Sequence, residues 1–202
     1  MSEDLTTVAP EPLALLSRAL DQAGEVLARV REEQHDLPTP CRSWTVARLG
    51  DHLVYDLSQF ALTATGGTPD WSAPVPPVVG DRAAIFRKGA ADLLELWRAA
   101  GDLTGTITLP GLGEVPARFP VDQQTAEFAM HAWDLATATG QSTDLDPQVG
   151  QSSLDWVRRT LQPHFRAKEV DGGAFGPEVP IADDAPLYDR LAAFAGRSPG
   201  DA

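Results

Sequence analysis

The sequence predicts an all-α fold: an up-and-down four-helix bundle with a small β-hairpin and a short C-terminal helix. Three observations predict it. Apolar residues recur at steps of three and four through long windows, the 17 Gly and 17 Pro fall between those windows, and one short pair of β-like segments flanks a Pro-Gly turn. Four windows are long enough to pack side by side, which is the requirement for a bundle.

The first helix is expected over Pro12 to Gln34, with Leu13, Leu16, Leu20, Ala23, Leu27 and Val30 on one face. Leu37-Pro38-Thr39-Pro40 ends it, because residues before proline avoid the α region. Ser43 is the expected N-cap of a second helix running through Trp44, Val46, Leu49, Leu53, Leu57 and Phe60. The Pro-rich stretch from Gly66 to Gly80 reads as a surface loop. A third helix follows from Asp81 to Ala99, with Ile85, Leu93, Leu94, Leu96 and Trp97 apolar. Thr106–Leu109 and Glu114–Ala117 are the expected hairpin strands around Pro110-Gly111-Leu112-Gly113. Pro120 suits the first turn of a fourth helix with Phe128, Leu135 and Ala138 on its core face and Gly140 as its stop. A fifth helix is expected from Asp144 to Arg166, through Leu154, Trp156, Val157 and Leu161. Asp171 to Pro186 reads as loop, and Leu187 to Ala195 as the closing helix.

The chain has 202 residues, with 16 Lys and Arg against 29 Asp and Glu, a formal charge of −13. Its composition, 43% apolar and 22% charged, is that of a folded globular domain. One domain over residues 1–202 is expected, with 1–10 and 198–202 as flexible ends. A polyanion is repelled by nucleic acid and by anionic lipid, so neither is an expected partner. The acidic start Met1-Ser2-Glu3-Asp4 lacks a signal peptide's positive region, and no apolar run reaches a membrane span. With a single cysteine, Cys41, no internal disulfide framework exists, and a cytoplasmic location is expected. Monomer and homodimer are equally open.

Four histidines can be weighed one at a time. His35 and His164 stand in polar surroundings beside prolines and read as surface residues. His52 and His131 stand inside apolar helical windows. On the fourth helix Glu127, His131 and Asp134 are spaced i, i+4, i+7, within about 60° of one another at 3.6 residues per turn. Gln124 shares that face, and His52 with Asp56 repeats the i, i+4 step on the second helix. Facing helices of a bundle build metal sites in this way. The same spacing on an exposed face is only a solvated pair.

The strings Thr39-Pro40-Cys41-Arg42-Ser43-Trp44-Thr45-Val46 with His52-Leu53-Val54, and Glu127-Phe128-Ala129-Met130-His131-Ala132-Trp133-Asp134, carry a resemblance. So do Gly113-Glu114-Val115-Pro116, Phe175-Gly176-Pro177-Glu178 and Gly196-Arg197-Ser198-Pro199. Together they resemble the DinB-like superfamily, and within it the mycothiol-dependent maleylpyruvate isomerase-like metal-binding proteins. The resemblance implies that His52, Glu127 and His131 bind one divalent metal, Zn2+ or another such as Ni2+ or Fe2+. It implies a role for Asp134, the catalytic candidate: orienting His131 or contacting a bound ligand. Asp56 has no such support and reads as structural or solvent-facing. The isomerase proper has an added C-terminal domain for which 202 residues leave little room, so its isomerase reaction is not carried over.

The expected function is activation of a low-molecular-weight thiol such as mycothiol, for S-transfer or isomerisation of a small electrophilic substrate. A thiol bound to a divalent cation loses its proton at neutral pH, so no unusual base is required. Water in place of the thiol would make a metal-dependent hydrolase, and a closed coordination sphere a non-catalytic metal-binding bundle. Two His and one carboxylate also suit non-haem iron. Cys41 is expected to be a small buried hydrophobe, too far from His52 to join it. Trp44 and Trp133 are expected to be core packing.

Overall fold

The computed structural model describes residues 11–42, 44–109, 112–167 and 175–200. Six α-helices are present among them: α1 (Pro12–Ala28), α2 (Val46–Ala64), α3 (Arg82–Ala99), α4 (Phe119–Thr139), α5 (Pro147–Thr160) and α6 (Leu187–Phe194). A hairpin of β1 (Thr106–Leu109) and β2 (Gly113–Pro116) stands between α3 and α4, its register pairing Thr106 with Pro116 and Leu109 with Gly113. None of these helices is long and apolar enough to cross a membrane. Residues 1–10 and 201–202, part of the ends expected to be flexible, lie outside the described residues.

α4 is the centre of the core. Every residue from Phe128 to Ala136 is buried, so this helix is covered on all sides. α1 packs on α4 and α3, α2 on α3 and α4, and α5 on α4, with α6 against α5 and α4. Phe128 meets Phe60 of α2 and Phe86 of α3 edge to face, each with ring centroids 5.8 Å apart. Gly140 ends α4 in the left-handed conformation, φ 67°, which a side chain would resist.

Several expected boundaries move, each for a tertiary reason. α1 stops at Ala28, and Gln34, expected within the same helix, sits in a 3-10 turn. There its Nε2 donates to the Thr139 carbonyl at the end of α4, 2.9 Å away, a bond a continued helix would not place. α2 begins at Val46 with Thr45 as N-cap, rather than at Trp44; Ser43, the expected cap, lies outside the described residues. On α3 the core residue is Phe86, fully buried, while Ile85 is 39% exposed. β2 starts one residue early, at Gly113, and the Ala117 amide leaves the ladder to donate to the Gly105 carbonyl; Pro110 and Gly111 of the expected turn lie outside the described residues. α5 is shorter at both ends, capped by Asp146, whose Oδ1 accepts from the Gln148 and Val149 amides. Residues 171–174 of the expected loop are outside the described residues; 175–186 carry no helix.

Candidate metal centre

The contact between α2 and α4 puts His52 opposite Glu127 and His131. One ligand atom from each of the three lies within 4.8 Å of the others. His131 Nε2 is 2.9 Å and His52 Nε2 3.6 Å from Glu127 Oε1. The rings of His52 and His131 meet at right angles with centroids 5.1 Å apart. His131 is buried, whereas His52 and Glu127 retain 13% and 24% of side-chain exposure. The opening is therefore on the Glu127 side.

Behind His131 a charged chain runs inward. Its Nδ1 is 2.9 Å from Asp134 Oδ2. A carboxylate only accepts, so Nδ1 carries the proton and points Nε2 at Glu127. Asp134 is fully buried and receives Arg197, Nη2 at 3.2 Å and Nε at 3.4 Å. Burial would raise the Asp134 carboxyl, but the Arg197 charge and the His131 bond outweigh it and hold it below its ordinary range. Burial likewise works against a charge on His131, yet Glu127 and Asp134 together push its pKa up to about 9. Glu127 is desolvated too, and the His131 charge and hydrogen bond hold it well below the usual carboxylate range.

The family model of the mycothiol maleylpyruvate isomerase N-terminal domain matches residues 16–136. The chain belongs to this family. Two Mycobacterium tuberculosis proteins, of strains CDC 1551 / Oshkosh and ATCC 25618 / H37Rv, each described as an uncharacterized protein, are 38% identical to it over 190 residues. The alignment covers 93% of this chain and 98% of each relative. No solved structure matches significantly. The matched stretch of this DinB-like family holds His52, Glu127, His131 and Asp134 but ends before Arg197.

Whether these residues suit a cation follows from their charges. Asp56, Glu127 and Asp134 converge on two imidazoles, and Arg197 is the buried guanidinium beside them. In the metal-free protein the Arg197 guanidinium and the proton on His131 stand against these carboxyls; a divalent ion would take the place of that proton. Two atoms of the group are also buried without a hydrogen-bond partner, His52 Nδ1 and Asp56 Oδ1. A donor set of imidazole and carboxylate matches zinc and its neighbours. The residues fit the group.

Three expectations about single residues change here. Asp56 is not solvent-facing: it is 1% exposed, and its Oδ2 is 3.0 Å from His52 Nε2. Cys41 is half-buried rather than a core hydrophobe, and its Sγ is within 4.8 Å of ligand atoms of His131 and Asp134. It precedes α2, and the segment before the helix folds back: the Val46 amide donates to the Leu37 carbonyl, and Thr39 Oγ1 lies within hydrogen-bond distance of the Cys41 and Trp44 carbonyls. That fold also brings Trp44 onto the site, its ring 4.1 Å from that of His52. Trp133 is buried as expected, with Nε1 donating to Asp189 Oδ1. His164 is exposed and His35 half-buried, both away from the centre. Gln124 shares the Glu127 face but turns inward, its Oε1 accepting from Trp97 Nε1 at 2.8 Å. Arg197 went unrecognised, because a lone arginine 63 residues after Asp134 carries no local signal.

Proposed function

We propose that this chain is a divalent-metal-dependent enzyme of the DinB type, α1 to α4 forming its four-helix bundle, that activates a low-molecular-weight thiol. His52, Glu127 and His131 hold the ion, zinc by the nature of the donors. The observation that carries the reading is the meeting of ligand atoms from α2 and α4 within 4.8 Å. The family's link to mycothiol and its maleylpyruvate isomerase supports mycothiol as the thiol. A divalent ion held there supplies Lewis acidity, lowering a thiol's pKa so that its thiolate persists at neutral pH.

The chain's own groups prepare that chemistry. Asp134 holds the proton on His131 Nδ1, which leaves Nε2, facing Glu127, as the nitrogen that would take the ion once its own proton leaves. Arg197 keeps Asp134 ionised, so that the proton stays on the ring. Asp134 itself touches His131 and Arg197 and is fully buried, so its task is orientation. Trp44 covers one face of His52 and keeps water from it. The partly exposed edge of Glu127 marks the side from which a small electrophile and the thiol approach. S-transfer and isomerisation share this first stage and differ only in what the thiolate attacks.

Purified protein is expected to hold about one zinc per chain, and His131→Ala to lose it, as measured by elemental analysis. Protein prepared without chelator that contains no divalent metal, and takes up none on titration, sinks the reading. With cobalt in place of zinc, mycothiol should produce sulfur-to-metal charge-transfer absorption; silence with several thiols removes the thiol from the proposal while leaving the metal.

A further inference from the structure

The Pro-rich loop, residues 66–80, is pinned along α2 by polar bonds to one strip of that helix. The Tyr55 hydroxyl donates to the Asp70 carbonyl at 2.9 Å, and the Asp70 amide donates to Gln59 Oε1 at 2.8 Å. Farther along, Arg48 Nη2 donates to the Val75 carbonyl and the Val78 amide to Asp51 Oδ1, each at 3.1 Å. Asp70 also closes the turn that follows it, its Oδ1 accepting from the Ser72 amide and hydroxyl. Within this turn Trp71 is 51% exposed, one side of its ring resting on Phe60 with centroids 5.2 Å apart. Its position around α2 follows from helical geometry. At about 100° per residue, His52 and Asp56 fall roughly 20° and 60° from Gln59, inside the arc that separates Gln59 from Phe60. A ring tethered to Gln59 through Asp70 and resting on Phe60 therefore lies across the strip of α2 that carries His52. Phe60 in turn meets Phe128, the neighbour of Glu127 on α4, so Trp71 stands on the α2–α4 side with the metal centre.

We propose that Trp71 is a binding residue for the thiol cosubstrate, its exposed indole face taking a sugar ring of the thiol while the sulfur is at the ion. The inference rests on the thiol reading above. Phe60, on which Trp71 rests, is eight residues from His52, about 12 Å along the helix at 1.5 Å per residue. A small electrophile seated at the ion cannot span that distance. A thiol built on sugar rings, as mycothiol is, can. The apolar C–H face of a sugar stacks on an indole while its hydroxyls stay in water, which suits a ring covered on one side by Phe60 and open on the other. The bonds from Tyr55, Gln59, Arg48 and Asp51 fix the loop before any ligand arrives, so ordering the platform costs nothing at the moment of binding.

The test compares two thiols on zinc-loaded protein by calorimetry: mycothiol, and free cysteine, which shares the thiol and lacks the sugars. Trp71→Ala should weaken mycothiol about 3- to 10-fold, leave cysteine unchanged and keep the zinc content of the parent. Trp71→Phe keeps an aromatic face and should recover most of the loss. In metal-free protein, the thiol-free sugar portion of mycothiol should change the tryptophan fluorescence of the parent and leave that of Trp71→Ala unchanged. An equal loss for both thiols, or no loss for either, overturns the inference, and so does the same fluorescence response in parent and Trp71→Ala. If the zinc-loaded parent binds neither thiol, the thiol reading fails by itself. The thiol-free sugar then decides the role of Trp71, and a parent whose fluorescence it leaves unchanged overturns that as well.

Discussion

Two polar clusters of this molecule, one across α1, α5 and α6 and one between α2 and α4, are built on different rules. Across α1, α5 and α6, the Tyr188 hydroxyl is within 3.0–3.1 Å of Gln22 Nε2, Gln22 Oε1 and the Asp146 carbonyl. The Asp146 amide donates to the same Gln22 Oε1, and Arg18 donates to its carboxylate at 2.7 Å. Uncharged groups dominate, the one carboxylate has its guanidinium, and every element end in the cluster is tied to another. Between α2 and α4 the pattern reverses. Asp134 alone has a guanidinium, Asp56 and Glu127 face only imidazoles, and two buried polar atoms have no partner. Burial there drives the Asp56 carboxyl well above its ordinary range, with the Glu127 charge adding to it, while His52 is pushed down by its own burial. A polar network that serves only the fold is selected to be satisfied; one left with buried polar atoms unpaired is arranged for something that arrives later.

Three experiments press on that contrast. The largest expected effect is Arg197→Met, which leaves Asp134 buried without its cation. We expect a loss of about 3–5 kcal/mol in the metal-free protein by denaturant unfolding, and partial recovery when zinc supplies the missing charge. No recovery with zinc would place Arg197 with the structural cluster. Next comes pH. In the metal-free protein His131 is protonated below about 9, with Nδ1 bonded to Asp134 and Nε2 to Glu127. The Nε2 proton must leave before that nitrogen can act as a ligand, so zinc affinity should rise roughly tenfold per pH unit from 7 toward 9. Calorimetry in buffers of different ionisation enthalpy should count the released proton; affinity flat over this range would mean that His131 is no ligand. The smallest effect belongs to Tyr188→Phe. It leaves Gln22 and the Asp146 carbonyl short of a partner and should cost about 1–3 kcal/mol of stability, with zinc affinity untouched. A change in zinc affinity there would mean that the two clusters are coupled through α4.

Half of the site could be read in one dimension. Glu127, His131 and Asp134 belong to a single helix, and helical periodicity alone stacks residues separated by four and three. The family strings added His52 without showing how it approaches. A helix begun at Trp44 would carry that ring along its axis, whereas the chain turns back before Thr45 and sets Cys41 and Trp44 against the histidines. Asp56 had the right spacing and was set aside, since an i, i+4 acid and histidine look the same whether they face water or the core. On α3 the periodic pattern allowed Ile85 as well as its neighbour, and packing against Phe128 chose Phe86.

The amino-acid order by itself determined which residues are helical and which share a face, because those follow from local backbone geometry and the spacing of apolar side chains. Which charged groups meet across separate elements was decided by the tertiary structure alone. Arg197 reaches Asp134 across 63 residues and His52 reaches Glu127 across a helix interface, and such pairings form only when the whole core closes around α4 and removes water from every group at once.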